Sequence, residues 1–201
     1  MGFFPRRMLH ELREYSDIAS IDEIARRYFA MNAFDGVLTI IGVLMGNYAA
    51  HVRDPTIVIV TGLSTCIAMG ISGLWGAYLT EAAERKRELN DLESHTLTDL
   101  SETKIGRASR VAVIIVALVD GLAPFLAALL VLFPFFFSSL LADIVFSYYV
   151  SLGMALVVLF VVGAFLGKVS RENLIISGVK MIGAGLVSIL LTYILDKVRG
   201  S

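Results

Sequence analysis

The chain has 201 residues, of which 57% are hydrophobic and only 17% are charged, and its mean hydropathy is +0.77. This composition is too apolar for a soluble domain and indicates an integral membrane protein. The formal net charge of -1 gives no reason to expect a nucleic-acid partner, and a single cysteine, Cys66, excludes an internal disulfide.

The chain begins with a charged segment. Apolar and charged residues alternate over residues 6–18, which predicts an amphipathic helix on the membrane surface within residues 1–19. The SIDE motif that follows, Ser20 to Glu23, has the spacing of a helix capping box. We therefore expect the first spanning helix to begin at this motif.

Five apolar stretches are each long enough to cross a bilayer as a helix: 30–50, 56–80, 109–136, 143–167 and 173–195. The sequence thus predicts an all-α membrane protein with helices one and two in residues 20–80, helices three to five in residues 109–196 and a tail at 197–201. Lys and Arg concentrate before the first stretch, between the second and third, and between the fourth and fifth. By the positive-inside rule we expect a cytoplasmic N-terminus and a non-cytoplasmic C-terminus.

Three charged residues fall inside these stretches, namely Asp35 in AFDGVLTIIGVLMG, Asp120 in LVDGLAP and Lys180 in ISGVKMIG. An ionised side chain in hydrocarbon is costly and usually faces a cavity or a partner. At ~1.5 Å of rise per residue, all three lie in the cytoplasmic half of the bilayer or near its midplane, so they can meet at one site. The alternative is that Lys180 extends to the membrane surface or pairs with one aspartate only to neutralise it.

Proline and methionine residues add to this pattern. Pro124 lacks an amide hydrogen and crowds the carbonyl of Asp120, so it either frees that carbonyl for a cation in a broken helix or only kinks the helix. Pro134 is expected to bend the outer end of the same span. Met69 offers a thioether, which suits softer transition metals, although methionine more often serves packing. Gly42 and Gly46 have the small-xxx-small spacing that permits helix dimerisation.

Residues 81–108 form a short charged segment that is expected to be cytoplasmic and helical to about Asp91. Glu81, Glu84 and Glu88 lie on one face of that helix and would concentrate divalent cations at the entrance of a cation path. The alternative is an ordinary salt-bridged face, in which Glu81 pairs with Arg85 and Glu84 with Arg87.

Enzymatic function has little support. No nucleophile elbow, phosphate loop or HExxH motif is present. Two intramembrane aspartates could form the acid pair of an intramembrane protease, but the GxGD motif expected for it is absent. We therefore expect no catalytic residues and no cofactor.

Taken together, these segments resemble the vacuolar iron transporter family. FDGVLTIIGVLMG resembles the family's first-span motif, and GLSTCIAMGISGLWGAYLTEAAER resembles its second span and the glutamate-bearing helix that follows. GLAPFLAALLVLFPFF, GMALVVLFVVGAFLGKVS and IGAGLVSILLTYILD are similar to the last three spans, so the likeness covers roughly residues 25–196.

The resemblance implies five transmembrane helices, a homodimer with the metal path near its interface, and export of cytosolic Fe²⁺ or Mn²⁺ in exchange for protons. Asp35 matches the family's intramembrane metal-binding aspartate, and Glu84 matches a glutamate of its cytoplasmic metal-binding region. The second span departs from the pattern. Thr65 stands where the family has a glutamate, and Gly73 stands where it has a metal-binding methionine.

Two other residues are candidates to replace these ligands. Asp120 would supply the missing carboxylate, and Met69, one turn before Gly73, would supply the missing thioether. We expect a proton-coupled metal transporter in which Asp35 and Asp120 bind the ion and carry protons, located in the cell membrane of a prokaryote or a vacuolar-type membrane of a eukaryote. The alternatives are a scaffold that keeps the fold without transport and the aspartic protease.

Overall fold

The computed structural model describes Tyr15, residues 20–138 and residues 143–199, without the side chains of residues 196 and 199. The surface helix expected within residues 1–19 lies outside the described residues except for Tyr15. The regular elements in the described part are all helical: α1 (Ile21–Ala49), α2 (Pro55–Thr96), α3 (Lys104–Leu132), a 3-10 segment (Phe133–Phe137), α4 (Ile144–Ser170) and α5 (Leu174–Arg199). Five helices are long and apolar enough to cross a membrane, which confirms the predicted all-α, five-span architecture.

Helix α2 is much longer than a bilayer requires. Its 42 residues extend about 63 Å at ~1.5 Å per residue, whereas the hydrocarbon core is ~30 Å thick. The helix continues through the charged segment to Thr96, beyond the end expected near Asp91. The acidic residues that follow Thr80 therefore lie on a helix that projects from the membrane.

Two local predictions need correction. Helix α1 begins next to the SIDE motif as expected, but Ser20 has a φ of 51° and so lacks the extended conformation of a capping serine. Helix α3 continues without a break through Pro124, so this proline does not divide the span. Pro134 lies at the start of the 3-10 segment, where α-helical geometry ends.

The described chain forms two compact units. The first combines residues up to Phe29 with Ile71–Leu122, and the second combines Ala30–Gly70 with the residues from Ala123 onward. In the first unit, Ile21 packs with Ala108 and Ala112. The second unit has the larger core, to which α1, α2, α3 and α4 all contribute.

Helices α4 and α5 approach closely in the second unit. A Cβ atom added to Gly163 would lie 2.6 Å from the Ser177 carbonyl oxygen and 2.8 Å from the Cα of Gly178. The two backbones are in contact there, as is usual where helices associate in a bilayer through small residues.

We predict that Gly163→Ala lowers the free energy of unfolding of the detergent-purified protein by about 1–3 kcal/mol, because the new methyl group overlaps the α5 backbone. The melting temperature should fall accordingly. Gly153→Ala is the matched control, since an added Cβ at this α4 position meets nothing within 4 Å. Thermal denaturation followed by circular dichroism compares the two variants, and equal melting temperatures would contradict the close packing.

Candidate metal site

Helix α1 contacts the backbone of α3 directly at Gly36. A Cβ atom on Gly36 would lie 2.5 Å from the carbonyl oxygen of Pro124 and 2.6 Å from its Cα. Real side chains do not approach a backbone so closely, so only glycine fits at this position. The glycine of the Asp-Gly pair therefore fixes how α1 lies against α3 in the second unit.

Asp35 points away from the core of that unit. Ala33 and Val37 are buried on the core side of α1, whereas Asp35 and Thr39 are exposed on the opposite side. Asp35 is also the central residue of α1, about 21 Å from either end at ~1.5 Å per residue. The structure thus presents a carboxylate at mid-helix on an outward face.

Asp120 is half-buried on α3, and its carbonyl group lies against α2 in the first unit. A Cβ atom on Gly73 would lie 2.7 Å from the Asp120 carbonyl oxygen and 3.1 Å from the Cα of Gly121. The carbonyl crowded by Pro124 therefore packs against the Gly73 backbone. Contacts between a Cα–H group and a carbonyl oxygen contribute weakly at such helix crossings.

The second-span positions that depart from the family motif have structural roles here. Gly73 allows the contact with Asp120, and a methionine would not fit without moving one helix. The hydroxyl of Thr65 donates a hydrogen bond to the carbonyl of Thr61 at 2.8 Å, so it is used within its own helix. Met69 is partly buried and packs against the core of the second unit.

The acidic face of α2 is partly neutralised by an arginine. Arg85 Nε donates to Glu81 Oε1 at 3.0 Å, with both side chains only 13% exposed, and Arg85 Nη1 lies 3.4 Å from Glu88 Oε2. The pair between Glu81 and Arg85 confirms the salt-bridged interpretation for this part of the face. Glu84 is exposed, and within the described part of the chain no ion pair joins it to Arg87.

Lys180 has a partner other than an aspartate. Its ammonium group lies 4.0 Å from Glu172 Oε2 beside the start of α5, and both side chains are largely exposed. This pairing agrees with the alternative in which the lysine extends to the membrane surface.

The predicted site residues are divided between the two units. Asp35, Met69 and Lys180 belong to the second unit, and Asp120, Glu81, Glu84 and Glu88 belong to the first. Among Tyr15, residues 20–138 and residues 143–199, no three His, Cys, Asp or Glu side chains converge as a metal-binding group. A shared site of Asp35, Asp120 and Met69 therefore stays a prediction.

The sequence analysis selected glycines by their spacing, as positions of close helix contact or dimerisation, so it did not include Gly36 and did not identify the partner of Gly73. Both glycines permit contacts within the chain. The available signals were the position of Gly36 directly after an intramembrane aspartate and the replacement of a family methionine by Gly73.

The comparisons with known proteins agree with this architecture. The VIT family model matches residues 27–104 and 96–197, which together include nearly the whole helical region. The chain belongs to the VIT family. It is also 34% identical over 178 residues to an uncharacterised protein of Methanocaldococcus jannaschii, covering 87% of this chain and 90% of that protein. Membership of the VIT family suggests a multi-pass membrane transporter of metal ions rather than an enzyme.

We predict that restoring the family residue by Gly73→Met destabilises the protein, because its Cβ overlaps the Asp120 carbonyl and overpacking of this kind costs about 1–3 kcal/mol. Gly76→Met is the matched control on the same helix, where an added Cβ meets nothing within 4 Å. Melting temperature and yield of folded protein after size-exclusion chromatography measure the difference. A Gly73→Met variant as stable as the control would show that the helices separate easily at this point.

Proposed function

We propose that this VIT-family protein exports a divalent transition-metal cation, Fe²⁺ or Mn²⁺, from the cytosol in exchange for protons, with Asp35 as the central ligand. The observation that carries the proposal is the outward position of Asp35 inside the apolar stretch 30–50 of a membrane-spanning helix. A carboxylate facing lipid at this depth costs at least a few kcal/mol. The presence of the Asp35 carboxylate there is explained if the outward face of α1 lines an ion path.

A second copy of the chain would complete this path. Gly42 and Gly46 lie on the same side of α1 as Asp35, and a Cβ atom added to either meets nothing within 4 Å. Small residues at this spacing allow another helix to approach closely. A homodimer formed along this face would cover both Asp35 side chains and place the metal path near the interface.

Asp35 would couple the metal to protons by exchanging one for the other. Withdrawal from water favours the neutral, protonated form of a carboxylate, whereas a bound cation favours the charged form. A metal ion that binds Asp35 therefore releases a proton, and a proton that returns releases the metal. Coupling follows from this competition for one group.

The remaining predicted residues have supporting roles in this proposal. Asp120 would act as a second carboxylate and proton carrier, and Met69 as a softer ligand. Glu84, which is exposed on the projecting part of α2, would attract cations from the cytosol, with weaker contributions from Glu81 and Glu88 because both pair with Arg85. Lys and Arg are in excess before α1, between α2 and α3, and between α4 and α5, which favours a cytoplasmic N-terminus.

We predict that Asp35→Asn reduces Mn²⁺ or Fe²⁺ uptake into proteoliposomes across a pH gradient at least about tenfold, since the amide neither binds the ion strongly nor carries the proton. The control is Asp22→Asn, which changes an exposed aspartate in the first turn of the same helix. Unchanged uptake by Asp35→Asn would remove this residue from the mechanism. Metal binding in detergent, repeated with Asp120→Asn, tests whether the second carboxylate belongs to the same site.

A second candidate, a scaffold that does not transport, is favoured by the structural use of Gly73 and Thr65 in place of the family's ligands. The binding experiment separates the two functions. Transition-metal binding that is lost in Asp35→Asn supports the transporter, whereas the absence of specific binding in the native protein supports the scaffold.

We predict that Gly42→Leu combined with Gly46→Leu weakens self-association at least about tenfold while leaving the fold of each chain intact, because both positions face open space. Gly153→Leu is the control, since this position on α4 is equally open. Light scattering coupled to size-exclusion chromatography measures the oligomeric state over a dilution series. A double variant that associates like the native protein would move the interface to another face.

A further inference from the structure

A groove of about 390 Å³ lies within the first unit, between the projecting part of α2 and the beginning of α3. Its lining combines three cations, Arg85, Lys86 and Arg110, with an apolar part formed by Tyr78, Val113 and Ile114. Among the described residues that line it, none is acidic. None of the described residues that line it is among the predicted metal ligands.

The groove lies where both helices change from apolar to charged. Helix α2 becomes charged after Thr80, and helix α3 becomes apolar after Arg110. The ring centroids of Trp75 and Tyr78 lie 6.3 Å apart just before the change in α2, and such aromatic residues are enriched at membrane surfaces. The cations therefore lie at the depth of lipid headgroups, and the apolar lining lies at the depth of acyl chains.

Two of these cations, Lys86 and Arg110, are exposed and only weakly compensated by described acidic residues. Lys86 is exposed and forms no ion pair with any described residue. Arg110 lies 3.5 Å from Glu102, but their side chains are 60% and 79% exposed, and ion pairs this exposed contribute little. Arg85 adds positive charge, although Glu81 and Glu88 partly offset it.

The loop at the rim of the groove is held in place by hydrogen bonds. The Leu100 amide donates to Glu93 at 2.8 Å, and Arg110 donates to the carbonyl of Ser101 at 3.2 Å. The Ser101 amide also donates to Asp99 at 2.8 Å, and hydrogen bonds from Ser101 hold the pKa of Asp99 below its usual value. The rim is thus formed before any ligand arrives, which lowers the entropic cost of binding.

We propose that this groove binds an anionic glycerophospholipid, with the phosphate between Lys86 and Arg110 and an acyl chain against Tyr78, Val113 and Ile114. Lys and Arg side chains form strong charge-assisted hydrogen bonds with phosphate, and basic pockets between membrane helices recognise anionic headgroups. A free phosphate ion would leave the apolar half of the groove without a partner. A zwitterionic lipid carries its own ammonium group and gains less from the cations.

The test is native mass spectrometry of the full chain in detergent, titrated with phosphatidylglycerol, phosphatidylcholine or inorganic phosphate. We expect phosphatidylglycerol to bind about tenfold more tightly than phosphatidylcholine, and Lys86→Gln combined with Arg110→Gln to remove this preference. Arg87→Gln combined with Arg107→Gln is the matched control, because these exposed cations lie on the same helices but do not line the groove. The control should keep the native preference.

Three results would overturn the proposal: equal binding of the two lipids, the same loss in the control variant, or displacement of the lipid by inorganic phosphate. Lys86→Gln alone serves if the double variant does not fold, since Lys86 forms no ion pair with a described residue, and we expect it to weaken the preference about threefold. The readout is lipid binding, so the outcome does not depend on whether the protein transports metal.

Discussion

The contact between Gly36 and the backbone of Pro124 determines how α1 lies in the second unit. With the Cα of residue 36 against α3, the helical turn of ~100° per residue places Asp35 and Val37 on opposite sides of the contact, and the core lies on the Val37 side. A side chain at position 36 would push α1 away and change the direction of the carboxylate. The two residues of the Asp-Gly pair therefore act together: the glycine determines how α1 packs against α3, and this packing determines the direction of the aspartate.

This orientation leaves polar groups and open glycines on the outward side of α1. Residues on the core side of α1 are buried within the second unit, whereas the opposite side presents a carboxylate, a threonine and open glycines. Exposing such a surface to lipid is energetically unfavourable, because hydrocarbon forms no hydrogen bonds and does not stabilise charge. A second helix face or an aqueous path would satisfy these groups, and the proposed dimer would supply both. The proposed transport path and the proposed dimer therefore follow from the same exposed carboxylate.

The sequence predicted the five spans well because length and hydropathy are properties of each segment alone. It was less decisive where a tertiary contact or the local backbone determines the outcome. It left a broken or a kinked helix open at Pro124, where α3 is unbroken, and the capping conformation expected at Ser20 is absent. Lys180 pairs with Glu172 because the turn before α5 brings them together, a contact that spacing along one helix does not reveal. Site residues on different helices are the least predictable, because their convergence depends on helix rotation.

Helix packing also explains the altered second-span motif, and the altered motif bears on which metal ion the proposed site prefers. The α2 backbone at Gly73 touches the Asp120 carbonyl, so the loss of a methionine there is tied to a close helix crossing. The thioether at Met69 packs against the core of the second unit, and the Thr65 hydroxyl is bonded within α2. In the proposed site the ligands would then be mainly carboxylate oxygens, from one Asp35 of each copy and from Asp120, with Met69 as a thioether ligand. Oxygen ligands suit Mn²⁺ better than the softer ions that thioethers favour. Within the proposed function, the close crossing at Gly73 therefore favours manganese over the softer transition metals.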